Sequence, residues 1–210
     1  MSGLRARQAC LLVRPSVLGD GFGGALAGAL AAVATALLAT MLAEPAAAIA
    51  RWPGWAAAAL AVGMAGLLQD PARHATAASP TPLPLRRGVG LAAGLPIVVV
   101  AWIAVLALAT TGVGTPYGPA SRLGLTLQAA ALITLTLAAG AALVRKGLGE
   151  RATRAAMLVP LAVTSAAAML PDGVALLALP TTPAWDPALD RWAVLLVAGA
   201  FVLAATSRRD

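Results

Sequence analysis

Six stretches of this chain carry no charged residue: 22–43, 54–69, 89–109, 123–144, 155–170 and 192–206. A charge at the centre of a bilayer costs roughly 2.5–3.5 kcal/mol even on the mildest insertion scale. A helix of about 20 apolar residues, by contrast, crosses the roughly 30 Å hydrocarbon core with its backbone fully paired. The six runs therefore predict an all-α, polytopic membrane protein with six transmembrane helices in a single domain over residues 1–210.

The basic residues give the orientation. Of the 15 Lys and Arg, 12 fall into four clusters: Arg5, Arg7 and Arg14; Arg73, Arg86 and Arg87; Arg145, Lys146, Arg151 and Arg154; Arg208 and Arg209. The clusters stand before the first run, after every second run, and at the end. Flanking cations stay on the cytoplasmic side, so both termini are expected there. Arg51, Arg122 and Arg191 are the exceptions. Charged residues make up 11% of the chain and mean hydropathy is +0.86, against about a quarter charged in soluble domains, which excludes a water-soluble fold. The net charge of +7 lies beside apolar runs without interleaved aromatics. It reads as orientation and anionic-lipid charge, with membrane lipids as partners and no nucleic acid.

The connections follow from the runs. Residues 1–20 form a basic segment, either lying along the inner interface or a plain tail. Its apolar stretch Ala9–Val13 is too short for a cleavable signal. Cys10 is the sole cysteine, so no disulfide framework arises within the chain. The second span is short and either starts at Gly54 or begins near Ala46 with a kink at Pro53; Trp52 and Trp55 would mark the outer interface. Residues 70–88 make a proline-rich cytoplasmic loop. Residues 171–190 make an extracytoplasmic loop, whose apolar centre Val174–Leu179 suits a short re-entrant or surface-lying helix, a candidate gate.

Chemistry is sparse. Proton- and ion-coupled transporters keep ionisable groups within the membrane, and the six runs have none. Thr35, Thr40, Thr126, Thr134, Thr136, Thr164 and Ser165 could line a hydroxyl pathway, but threonines in helices usually bond back to their own backbone. His74 is the only histidine, which leaves no Ser-His pair, bis-His haem site or metal cluster. Asp172, Asp186 and Asp190 are scattered loop acids with no third ligand type beside them. The segment Arg145-Lys146-Gly147-Leu148-Gly149-Glu150 lacks the spacing of a phosphate-binding loop, and Thr110–Gly114 has neither the order nor the pore helix of a potassium filter. No catalytic residue, metal or cofactor is expected in this chain. Gly24 with Gly28, and Gly90 with Gly94, each line one helical face where another backbone can approach.

The layout, with DPARHATAASPTPLPLRR at 70–87, LPD at 170–172 and PAWDPALDRW at 183–192, resembles the membrane subunit of ABC-2-type transporters, in particular a group of small actinobacterial six-span permeases. The resemblance covers nearly the whole chain. It implies a permease subunit of an ATP-driven exporter in the bacterial cytoplasmic membrane, carrying an apolar or amphipathic substrate. A separate ABC ATPase would bring the ATP and Mg, and a second permease copy or a sibling chain would complete the assembly. Asp70, Pro71, Ala72, Arg73 and His74, with Arg86 and Arg87, would form the ATPase-coupling loop. Pro171, Asp172, Trp185, Asp186 and Asp190 would form the extracytoplasmic gate. The chain is shorter than many such permeases, and the proline-dense second half of the 70–87 loop leaves room for only a short coupling helix. The alternative is a non-transporting scaffold or assembly subunit of a larger membrane complex.

Overall fold

The computed structural model of the protein describes residues 20–41, 51–67, 83–111, 116–148 and 150–207. Six α-helices run through them: α1 Asp20–Met41, α2 Trp52–Gly66, α3 Leu83–Thr111, α4 Arg122–Arg145, α5 Glu150–Met169 and α6 Trp185–Ser207. There is no strand among the described residues. Single 3₁₀ turns at Pro119–Ser121 and Asp172–Val174 precede α4 and follow α5.

Local chemistry sets several of the ends. Pro53 sits in the first turn of α2, where a missing N–H and a fixed φ favour a helix start. It therefore suits the start of α2; the earlier start near Ala46 lies outside the described residues. The end of α4 is a Schellman turn: Gly147 has φ +80°, its N–H bonds the Val144 carbonyl at 3.0 Å, and the Leu148 N–H reaches the Leu143 carbonyl at 3.3 Å. Glycine takes this left-handed backbone without steric penalty. Arg145 in the last turn of α4 and Asp186 in the first turn of α6 both suit the helix dipole.

Packing is inverted relative to a water-soluble protein. Ala25, Ala29, Ala32 and Ala36 form the buried stripe of α1, while Leu26, Leu30, Leu37 and Leu38 point outward. Val99, Val100 and Ile103 of α3 and Val194, Val197 and Phe201 of α6 are likewise exposed. Small residues inside and large apolar residues outside is the pattern of helices packed in lipid, where close backbone approach replaces the hydrophobic drive. Phe22–Met41, Pro119–Arg145, Arg151–Met169 and Trp185–Thr206 are each long and apolar enough to cross a membrane; Gly94–Thr110 of α3 is a shorter apolar helix.

The middle of the bundle is α2, whose 15 residues are mostly buried. It packs against α1 and α3 on one side and α4 and α5 on the other, and α6 lies outside α4. Its length is about 22 Å. Gly24 of α1 lies against Gly63 and Gly66 near the far end of α2, Gly54 lies beside Gln128 of α4, and Arg51 reaches Ala168 near the end of α5. Gly124 meets Trp185, and Arg145 reaches Ala205. Consecutive helices therefore alternate in direction. The starts of α2, α4 and α6 share one end of the bundle, called here the upper end.

Several boundaries differ from the sequence reading. Helix α3 begins at Leu83, so Arg86 and Arg87 lie in its first turns and not in a loop running to 88. Helix α6 begins at Trp185, which places Trp185, Asp186 and Asp190 on a helix, because Pro187 tolerates an early helical position. The Val174–Leu179 stretch forms no helix beyond its opening 3₁₀ turn. At the start of α2, Trp52 is 8% exposed and packs into the core, while Trp55 is exposed.

Candidate functional site at the upper end of the bundle

The three arginines outside the charge clusters all lie at the upper end, each near the start of a helix. A cation there opposes the helix dipole, so each needs another partner. Arg122, at the start of α4, donates from Nε and Nη2 to the Thr110 hydroxyl at 3.3 and 3.1 Å. Thr110 in turn bonds the Leu106 carbonyl at 2.8 Å. One turn along α4, Thr126 accepts from Trp102 Nε1 at 3.2 Å and donates to the Arg122 carbonyl at 2.7 Å. This polar ladder joins α3 to α4.

Arg191 fixes the segment between α5 and α6. Its Nη1 donates to the Ala175 carbonyl at 2.7 Å and its Nη2 to the Gly173 carbonyl at 2.9 Å. The neighbouring Trp192, 1% exposed, donates from Nε1 to the Leu176 carbonyl at 2.7 Å. Three backbone carbonyls of the segment are thereby given hydrogen-bond partners. The fastened segment buries Ala175, Leu177 and Ala178. Leu177 is seated on the first turn of α2, where a Cβ on Gly54 would stand 2.7 Å from its Cδ2.

Arg51, just before α2, is satisfied least. Its Nη1 reaches the Ala168 carbonyl at 3.5 Å, and its buried Nε has no partner. Its charge acts on Tyr117, a buried side chain whose ring tilts at 60° against Trp185 with centroids 6.4 Å apart. Burial pushes the Tyr117 hydroxyl well above the usual tyrosine range, and Arg51 pulls it back only in part. Two further buried polar atoms lack partners, Gln128 Nε2 on α4 and Thr164 Oγ1 on α5. The Gln128 amide lies 3.2 Å from where a Cβ on Gly54 would stand. Thr164 shares the buried face of α5 with Ala156, Pro160 and Ala167, one turn before the Ala168 carbonyl that Arg51 approaches.

Of the expected gate residues, Trp185 packs into this end against Gly124 and Tyr117. Pro171, Asp186 and Asp190 are exposed, and Asp172 opens the 3₁₀ turn. Within the coupling loop, Asp70, Pro71, Ala72, Arg73 and His74 lie outside the described residues. Comparison with protein families, characterised proteins and solved structures finds no match. Any functional reading therefore rests on these residues and their chemistry. Among the described residues no group of His, Cys, Asp or Glu is placed to hold a metal ion.

Sequence reasoning missed Arg51, Gln128, Leu177 and the Arg191–Trp192 fastening. A signal was present for the arginines, since they were the three cations that broke the charge pattern. Nothing in composition marked Gln128 or Leu177, because their roles depend on which helix face meets Gly54. The hydroxyl expectation fared better: Thr35, Thr126 and Thr136 each bond the carbonyl four residues back, and Thr40 the one three back. Thr134, Thr164 and Ser165 make no such bond, and the Thr164 hydroxyl is buried without a partner.

Proposed function

We propose that this chain is the six-span permease subunit of an ATP-driven exporter, with both termini cytoplasmic and a separate ATPase docking on residues 70–87. One observation supports the reading above others: α2. This helix is surrounded by four others, lined with Ala and Gly, and leads at its lower end into the 70–87 segment. Its upper end carries Arg51 and bears on Gln128 and Leu177. A rigid helix that links a docking loop to buried polar groups is the kind of element that transmits a push from one membrane face to the other. The exposed apolar flanks of α1, α3 and α6 leave surface for a second permease copy and for lipid, and the lack of ionisable groups through the described mid-helix regions suits an apolar or amphipathic cargo.

The test is affinity capture of the full-length chain from native membranes, followed by identification of co-purifying proteins. A Walker-motif ATPase that is retained by the wild type and lost on Asp70→Ala with Arg73→Ala, while membrane insertion is unchanged, supports the exporter. Recovery of a stable complex without any ATPase replaces it with the scaffold or assembly reading.

A further inference from the structure

We propose that the seam between α1 and α5 is a lipid site: one anionic phospholipid of the surrounding bilayer lies along α2 there, with its phosphate at Arg51 and an acyl chain over Trp55, Ala59 and Val62. The assignment needs only that α1 and α5, both long and apolar enough to span, stand in a membrane. It is independent of the exporter reading and of any ATPase partner.

The seam follows from how the helices surround α2. Helix α1 packs on α2 and α3, and α5 packs on α2 and α4, but among the described residues α1 and α5 do not pack on each other. Helix α2 is buried almost all round; Trp55, Ala59 and Val62 are its only residues that are not, and Arg51 just before it is half-buried. Steps of four, four and three residues put these on one face of a helix with 3.6 residues per turn. The same residues locate that face. The Ala59 carbonyl oxygen lies against Gly28 of α1, where a Cβ would stand 2.7 Å away, and Arg51 reaches the Ala168 carbonyl of α5. The face therefore looks out between the two helices, so that α1 and α5 wall a cleft whose floor is the central helix.

The order of residues along this stripe, and its length, identify the occupant. Arg51 stands at the upper end. No carboxylate among the described residues pairs with it, and its bond to Ala168 is long at 3.5 Å. A cation beside hydrocarbon draws an anion, and a guanidinium suits phosphate oxygens. One turn deeper comes Trp55, 36% exposed, whose amphipathic ring belongs at headgroup level. Below it lie Ala59 and Val62, which are small and carry no polar side-chain atom. From Arg51 to Val62 the stripe runs about 16 Å, half of a hydrocarbon layer of about 30 Å, which is the depth of one leaflet. Cation, aromatic ring and apolar floor in that order match a phospholipid from headgroup to chain. A purely apolar occupant would leave the Arg51 charge unanswered.

Trp55 reports on the cleft directly. The full-length protein is reconstituted in phosphatidylcholine vesicles that contain a small fraction of chain-brominated phosphatidylglycerol or of chain-brominated phosphatidylcholine. Quenching of Trp55 is the difference in fluorescence between each protein and its Trp55→Phe counterpart. At equal fractions the brominated phosphatidylglycerol is expected to occupy the cleft about fivefold more readily, the effect of one cation facing anionic lipid. Arg51→Gln is expected to abolish that preference. Should it not fold, Arg51→Met, which keeps an apolar stem without the charge, decides instead. Val62→Phe, which fills the floor below Trp55, is expected to lower quenching by either lipid with Arg51 in place. The site is rejected by equal quenching from the two lipids in the wild type, by a preference that survives loss of the Arg51 charge, or by unchanged quenching in Val62→Phe. A Trp55 shielded from both lipids also rejects it and means that a second copy of the chain, or another protein, fills the cleft.

Discussion

Gly28 of α1 and Gly63 of α2 meet backbone to backbone. A Cβ on Gly28 would stand 2.7 Å from the Gly63 Cα and from the Ala59 carbonyl oxygen, and one on Gly63 would stand 2.8 Å from the Gly24 carbonyl oxygen. The obstructing atoms are main chain, so no rotamer change can yield room. The Gly24/Gly28 pair thus serves a crossing within one chain.

Alanine at either position should force α1 and α2 apart. We expect Gly28→Ala and Gly63→Ala each to cost about 1–3 kcal/mol, the usual penalty of overpacking. Gly23→Ala is the control, since nothing lies within 4 Å of its Cβ position; it should be neutral or slightly stabilising, because Ala exceeds Gly in helix propensity by about 1 kcal/mol. Thermal melts in one detergent compare the three.

Gly54 and Leu177 should be coupled. Gly54→Ala directs a methyl group at the Leu177 side chain and beside the Gln128 amide. Leu177→Ala empties a buried position and by itself should cost about 2–5 kcal/mol. In the double variant the methyl group occupies part of the vacated space, so the combined loss should fall short of the sum by about 0.5 kcal/mol or more. Strict additivity in a double-mutant cycle would mean the two side chains do not meet.

Trp192 and Arg191 test whether the 170–184 segment is held by hydrogen bonds. Trp192→Phe keeps most of the ring but strands the Leu176 carbonyl, at a cost of about 1–3 kcal/mol. Arg191→Ala frees the Gly173 and Ala175 carbonyls together. Limited proteolysis should then cut within 170–184 in the Arg191 variant at protease levels that leave the wild type intact. Equal resistance would show that apolar contacts suffice.

Tyr117 is the sole tyrosine, so phenolate absorbance reports on it alone. Its folded-state pKa is raised, by burial first and with partial opposition from Arg51. The stability contributed by the protonated form is therefore complete below the unfolded value of about 10 and is lost as pH rises above it. Titration of folded protein should show no half-ionisation near pH 10. The phenolate signal should grow only at higher pH or with the loss of helical circular dichroism, and a free titration near 10 with the fold intact would contradict the burial.

Much of the fold could be read from hydropathy, because each charge-free run became a helix. Phe22–Ala43 corresponds to α1 and Leu123–Val144 to α4 within two residues at each end. Mean polarity along the chain says where helices are but not which faces meet, so the partner of Gly28 was out of reach, as was the seat of Leu177. The site was less legible for the same reason. Arg51 adjoins an apolar run and reads as an interface charge until its Nε is found buried. Trp185 and Trp192 look alike in sequence, yet one packs on Tyr117 and the other bonds the Leu176 carbonyl.

The shortness of α2 sets an electrical dimension for the protein. In the six-span reading proposed above, a helix of about 22 Å at the centre of a bundle would fall short of a hydrocarbon layer of about 30 Å, with a recess at one or both of its ends. Where water fills those recesses, the transmembrane voltage drops over a layer about a quarter thinner than the surrounding bilayer. A charge moving beside α2 would still feel about 2.3 kcal/mol per 100 mV, but would traverse it in a shorter stroke and a steeper field. Any charged cargo moved along this helix would thus gain or lose that full electrical work within the reach of four helical turns.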